Sequence, residues 1–206
     1  MLSIWGRANS INVMKALWAA DEVGQTYERF DVGGAFGGLD TPQYKAMNPN
    51  SLVPTLQDGT LTLWESNSIV RYIAARYGAG TLWPADPVAR ARADQWMDWQ
   101  LTTIGLPMRD LFWGYIRTAP DKRDAANLEA ARQQGITVWS RLDAHLAKHA
   151  YVAGEHLTMG DIPVGAFCHR WHALPIARPD LSHLRAWYKR LCERPAYRRH
   201  VMIEMT

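Results

Sequence analysis

Three short stretches of this chain hold side chains whose types and spacing suit chemistry better than packing. Val53-Pro54 lies in a strand-like apolar run, Leu52 to Leu56. Proline has no N–H to give a sheet ladder, so it marks an edge, a bulge or a cis bond. Glu65-Ser66 stands directly before the helical pattern Ile69, Val70, Ile73, Ala74, Tyr77. A helix start carries unpaired N–H groups and partial positive charge, which attract a carboxylate, and a neighbouring Glu accepts an ammonium group. Together the two stretches offer a strand edge, a carboxylate site and an amine site. A γ-glutamyl peptide carries all three complementary groups. The third stretch is Arg7-Ala8-Asn9-Ser10-Ile11-Asn12, between a strand and a helix. Hydroxyls, amides and backbone N–H groups at such a place stabilise an anion, although Ser10 also suits a plain helix cap.

The elements that must position these residues follow from periodicity and turn residues. Residues 2–6 read as a strand, Asn9 to Val23 as a helix ending at Gly24, and Thr26 to Val32 as a strand. Gly33 to Asp40 reads as a loop and has no GxGxxG fingerprint. A strand at Val53–Leu56, a turn at Asp58-Gly59, a strand at Leu61–Leu63 and a helix from Glu65 to Tyr77 complete the first unit. This β-α-β-loop-β-β-α order predicts an α/β thioredoxin-like domain over residues 1–78. Residues 79–87, rich in Gly and Pro, read as a linker, and residues 88–206 as an all-helical domain.

Within the second domain, Pro107 predicts a break or kink in the helix that begins at Val88. A long helix is expected from about Lys122 to Lys148. Thr158-Met159-Gly160-Asp161 is a capping-box pattern opening a helix through Trp171. Its role reads as structural. Leu181 to Cys192 is a further helix, with a short one after Arg194-Pro195.

Composition excludes several classes. The chain has 206 residues, 48% hydrophobic and 21% charged, enough for a sizeable core. Its formal net charge is +3, and the one dense basic run, Arg194 to His200, reads as a solvated helix face. With no basic stripe and no reading motif, nucleic acid is not an expected partner. No apolar run approaches the roughly 18 residues of a membrane span. The N-terminus lacks a signal peptide's charged start, and Cys168 and Cys192 form no CxxC. A reduced, cytoplasmic setting is expected. His169 and His172 lack partners at ligand spacing, so no metal site is expected. Ten Trp are enough to line a cavity as well as fill a core.

Val53-Pro54 with Glu65-Ser66 resembles the glutathione-binding half of the cytosolic glutathione transferases. Thr158-x-x-Asp161 is similar to the capping box that these transferases carry in their helical domain, and the ending Trp187-Tyr188 … Arg194-Pro195-Ala196 to that of bacterial members. The resemblance implies that Val53 pairs its backbone with the cysteinyl unit of glutathione, with Pro54 in cis. It implies that Glu65 and Ser66 hold the γ-glutamyl amine and carboxylate, and that the glycine end meets the loop around Gly37 to Lys45. The family places Tyr, Ser or Cys in the first loop, which makes Ser10 the candidate thiolate donor here. Asn12 is the runner-up, since Ser10-Ile11-Asn12-Val13-Met14-Lys15 resembles a bacterial Ser/Thr-x-Asn-x-x-Lys pattern, and Asn9 is a third option.

The implied reaction is attack of the glutathione thiolate on a small hydrophobic electrophile, in a homodimer. Pocket candidates are Met108, Arg109, Phe112 and Trp113 after Pro107, with Trp171 and His172 from a later helix. Trp96 and Trp99 suit core or interface instead. A cysteine-independent disulfide or peroxide reductase would use the same site. A non-catalytic glutathione or hydrophobic-ligand module is the other rival.

Overall fold

The computed structural model describes residues 1–206. The first half holds a four-stranded sheet: β1 (Leu2–Trp5), β2 (Tyr27–Phe30), β3 (Thr55–Asp58) and β4 (Leu61–Trp64), in the order β2-β1-β3-β4. β2 runs parallel to β1, so the chain must cross over between them, and α1 (Ile11–Glu22) is that crossover. β3 is antiparallel to both β1 and β4, with Ile4 opposite Leu56 and Leu56 opposite Leu63. α3 (Ser66–Tyr77) closes this unit at Gly78. The expected α/β thioredoxin-like half, followed by an all-helical half, is what the chain forms.

Two details of this half differ from expectation. A short helix, α2 (Pro42–Met47), occupies residues read only as loop surroundings. Its start has the right chemistry: the Thr41 hydroxyl oxygen accepts from Tyr44 N–H at 3.2 Å, and Pro42 takes the first turn. β3 also begins later than expected, at Thr55, which leaves Val53-Pro54 just ahead of the ladder. A proline cannot enter the ladder, so pairing starts after it.

The second half is helical: α4 (Pro87–Trp99), α5 (Gly105–Phe112), α6 (Ala125–Leu146), α7 (Asp161–Ala173), α8 (Ser182–Cys192) and α9 (Pro195–His200). Pro107 does not break the chain. Residues 87–117 stay helical because two wide π turns, Gln100–Ile104 and Trp113–Arg117, flank α5. Gly105 N–H bonds Gln100 O in the first of them, and such a turn absorbs the register change that a proline imposes. No helix is long and apolar enough to cross a membrane.

A single apolar core runs through both halves. α1 is buried on nearly all sides from Ile11 to Ala20 because sheet and α3 cover one flank and α7 and α9 the other. Trp18 meets Tyr197 edge-on at 4.7 Å. Beside that contact the end of α1 is tied to α9: Glu22 binds Arg194, and Asp21 binds Arg199 and His200, the latter at 2.7 Å. The run Arg194 to His200, expected as a solvated face, is thus an interdomain contact. Its partners lie more than a hundred residues upstream, outside the reach of local pattern.

At the start of α7, Asp161 is fully buried and accepts four hydrogen bonds: from Val152 N–H, Thr158 N–H, Thr158 Oγ1 and Trp187 Nε1, at 2.9 to 3.2 Å. The Thr158–Asp161 pair is therefore structural, as read. Burial outweighs those donors and pushes the Asp161 carboxyl up to about 6.

Candidate functional site

The Val53–Pro54 peptide bond is cis. The segment ahead of β3 is braced from below. Tyr44 donates its hydroxyl to Leu52 O at 2.7 Å, and Asn48 Nδ2 donates to the same carbonyl at 2.8 Å. Asn48 Oδ1 also accepts from Asn50 N–H at 3.0 Å, an Asx-type turn. With its neighbours so held, Val53 offers a backbone N–H and C=O that lie outside the ladder, which begins at Thr55.

Glu65 forms the cap position of α3 with φ +68°, a conformation that a non-glycine side chain adopts at a cost of about 1–3 kcal/mol. Its side chain is exposed, while Ser66 behind it is buried. Ser66 donates its hydroxyl to Asn12 Oδ1 at 3.2 Å, so the start of α3 and the start of α1 share one hydrogen bond. That bond leaves the Asn12 amide N–H groups as donors.

Ser10 sits at the cap position of α1 in extended geometry, and its hydroxyl makes no bond to the helix backbone. A serine serving only as a cap would make that bond. Instead Ser10 and Asn12, with Asn9 beside them, line a cavity of about 530 Å³ between the two halves. Asn9 is engaged elsewhere, donating through Nδ2 to Thr206 Oγ1.

The far wall of the cavity comes from the helical half. Arg109, Phe112 and Trp113 line it as expected. Met108 and Trp171 do not. Met108 is buried in the core, and Trp171 packs 6.1 Å from Trp139 and fills the space left by Gly135. His172 also points away, stacked 4.4 Å from Tyr188, and burial drives its pKa down to about 4. The residues of α7 that do reach the cavity are Phe167, one turn before Trp171, and Arg170, about a quarter-turn round the helix from it. Gln100 of the first π turn, Gly105 at the start of α5, Arg7 and Arg117 complete much of the remainder. A larger cavity, about 610 Å³, lies by Tyr151, Glu155, His156 and Arg194 and contains none of the candidate residues.

The lysine that closes the Ser10-x-Asn12-x-x-Lys15 pattern lies behind the site. Lys15 is fully buried, donating to Asn67 Oδ1 at 2.9 Å and Gln100 Oε1 at 3.3 Å. Asn67 in turn donates to Met97 O at 2.8 Å. This polar cluster joins α1, α3 and the π turn beneath the cavity floor. Burial pushes the Lys15 ammonium down to about 7, with Glu65 opposing and Arg170 adding to the shift.

Residues 1–75 match the family model described as glutathione S-transferase, N-terminal domain, and residues 125–190 match glutathione S-transferase, C-terminal domain. The chain belongs to the glutathione S-transferase family. Among transferase relatives, glutathione S-transferase GstB of Escherichia coli (strain K12) is 40% identical over 208 residues, covering 100% of both chains. Glutathione S-transferase 3 of Zea mays is 31% identical over 218 residues, covering 97% of this chain and 93% of the relative. The theta class glutathione S-transferase of the citrus canker pathogen Xanthomonas axonopodis pv. citri, solved with glutathione bound, matches with a TM-score of 0.96 at 54% identity. That match covers 100% of this chain and 99% of the other.

Proposed function

We propose that this transferase binds glutathione along the Val53 edge and the start of α3, and ionises its thiol beside Ser10. Residues 1–78 then hold the peptide and residues 88–206 the electrophile. The observation that carries this reading is the Ser10 hydroxyl: it caps nothing, and it faces a cavity that Asn12 shares. The solved relative from Xanthomonas, which has glutathione bound, supports the same ligand.

In the proposed complex the γ-glutamyl carboxylate accepts from the Ser66 backbone N–H and the other free N–H groups of the first turn of α3, and Glu65 takes the amine. The cysteinyl unit pairs with Val53 N–H and C=O. Its sulfur lies against Ser10, at the N-terminus of α1. A thiol of ordinary pKa, about 8.5, is only a few per cent ionised at neutral pH. Lowering it by about two units corresponds to roughly 2.7 kcal/mol of preferential anion stabilisation. One hydroxyl donor, the α1 N–H groups and nearby guanidinium charge supply a sum of that size. The thiolate then forms a bond to the electrophilic carbon in the cavity, and the leaving group departs with its electron pair.

The chain's own thiols take no part in this scheme. Cys168 is buried, with its pKa raised well above the usual thiol value, and neither cysteine lines the cavity. The proposal places the enzyme in the cytoplasm as a homodimer, which sedimentation at working concentration checks.

Calorimetric titration with glutathione tests binding, and thiolate absorbance of the complex against pH tests activation. Expected results are saturable binding in the micromolar to millimolar range and a thiol titrating well below its free value. No binding at millimolar glutathione ends the enzyme reading.

A further inference from the structure

The cavity beyond Ser10 is charged, not greasy. Four guanidinium groups line it, from Arg7, Arg109, Arg117 and Arg170, and no Asp or Glu does. Arg109 has a partner in Asp110, and Arg117 donates to Thr206 O. Arg170 has none. It is buried at 8% exposure, its Nε lacks any hydrogen-bond partner, and its guanidinium lies 3.8 Å over the Phe112 ring. Buried cations are normally paired, because desolvating a charge costs several kcal/mol otherwise. Burial and the repulsion of Arg117 and Arg7 push Arg170 down to about 9, which marks the same excess of positive charge.

Glutathione does not account for this set. Its sulfur brings one negative charge, and its glycyl carboxylate is expected by the loop around Gly37 to Lys45, none of which lines this cavity. Val53, Glu65 and Ser66, which would hold its cysteinyl unit and γ-glutamyl end, are not part of this cavity. Three of the four arginines come from the helical half, on the side of Ser10 that faces the second substrate.

We propose that the second substrate of this site is an organic anion: an electrophile bearing a carboxylate, held in the guanidinium cluster of Arg117 and Arg170. The ring of Phe112 and the exposed face of Trp113 cover its apolar body. A planar carboxylate matches the fork of an arginine better than a point cation does. This inference rests on the transferase reading for its chemistry but not for its binding. In the reaction of an aryl chloride carrying a carboxylate, the glutathione sulfur bonds to the ring carbon that bears chlorine. The C–Cl bond then breaks with its electron pair leaving as chloride. The carboxylate stays unchanged and only positions the ring, so no oxidant or reductant is needed.

The test uses matched pairs. Binding of 3-nitrobenzoate and of its neutral analogue 3-nitrobenzamide is measured by calorimetry on the whole protein, and turnover is measured with the corresponding 4-chloro compounds and glutathione. The benzoate is expected to bind about tenfold or more tightly than the amide, as charge-assisted pairing in a sheltered site gives. That advantage is expected to shrink as salt is raised, and to fall to about threefold or less in Arg117→Gln. Arg170→Gln should abolish it, with circular dichroism showing whether that variant folds; Arg117→Gln alone decides the matter if it does not. Equal binding of benzoate and amide overturns the proposal, as does a preference that Arg117→Gln leaves intact. The two readings fail separately. Anion preference with no turnover of either chloro compound leaves the anion site standing and sinks the transferase reading. Equal binding with turnover of both does the reverse.

Discussion

Ser66 and Asn12 share a hydrogen bond of 3.2 Å that links the start of α3 to the start of α1. The proposed peptide-holding tract and the proposed thiol-activating tract are therefore mechanically one object. Removing either partner should disturb both. Ser66→Ala and Asn12→Ala are each expected to weaken glutathione binding by about tenfold, in line with roughly 1–1.5 kcal/mol for such a bond. The double variant should lose much less than the sum, because the two act through one contact. Strict additivity in calorimetric affinities would show that the contact carries no coupling.

Ser10→Ala removes one preplaced donor from the proposed thiolate. Turnover is expected to drop by about 10²–10³-fold, with glutathione affinity little changed. The thiol of the bound peptide should titrate closer to its free value. Unchanged turnover together with an unchanged thiol titration would move the donor role to Asn12.

Lys15 gives the fold a pH dependence whose sign is fixed by its lowered pKa. Above an unfolded value near 10.4 the amine is neutral in both states, and its folded-state advantage is fully present. As pH falls toward about 7 the unfolded chain gains a proton that the folded chain does not, and that advantage is lost. Relative to Lys15→Met, the native chain should therefore gain stability between pH about 7 and 10, by up to roughly 1.4 kcal/mol per pH unit. Urea melts of both proteins at several pH values measure it. A constant difference across that window would mean that Lys15 stays charged inside the fold.

Glu22→Gln removes the carboxylate that Arg194 binds between the halves, while keeping the shape of the side chain. Arg194 is one-third exposed, so the loss is smaller than for a fully buried pair. A destabilisation of about 1–2 kcal/mol is expected, or a few degrees in melting temperature for a chain of this length. Scanning calorimetry reads it directly.

Gly160 stands where α7 begins, and an added Cβ would lie 2.6 Å from Ala93 O of α4. Backbone cannot swing aside as a side chain does. Gly160→Ala is expected to cost about 1–3 kcal/mol, typical of overpacking, without altering glutathione affinity in the folded protein. A melt equal to that of the native chain would show that α4 has room to shift.

The parts of the candidate site legible in the sequence are those set by near neighbours. Val53-Pro54, Glu65-Ser66 and Ser10 each stand at a junction between elements, where proline, acid and hydroxyl residues leave a local signature. Helix phase was harder to read. α7 is buried almost all round from Asp161 to Cys168, so no polar face reveals which side meets the cavity. Trp171 was the conspicuous choice there, yet the signal lay one residue earlier, in an arginine set within an apolar helix. The π turns shift the register around α5 without any sequence mark, which is why Met108 enters the core while Arg109, Phe112 and Trp113 reach the cavity. α2 was readable in Thr41-Pro42 but is only six residues long. Asp21 and Glu22 could not be matched to Arg194, Arg199 and His200, because nothing local records a partnership across that distance.

The latch between α1 and α9 also decides how the polypeptide comes apart. Trp18 is wholly enclosed, and Tyr197 from the far end of the chain is among the groups that enclose it. The sheet half, taken by itself, would bare that indole along with the acidic end of its central helix. Two modules with separate sequence signatures are therefore expected to unfold in one cooperative transition, and neither is expected to serve as a portable building block for grafting onto another scaffold.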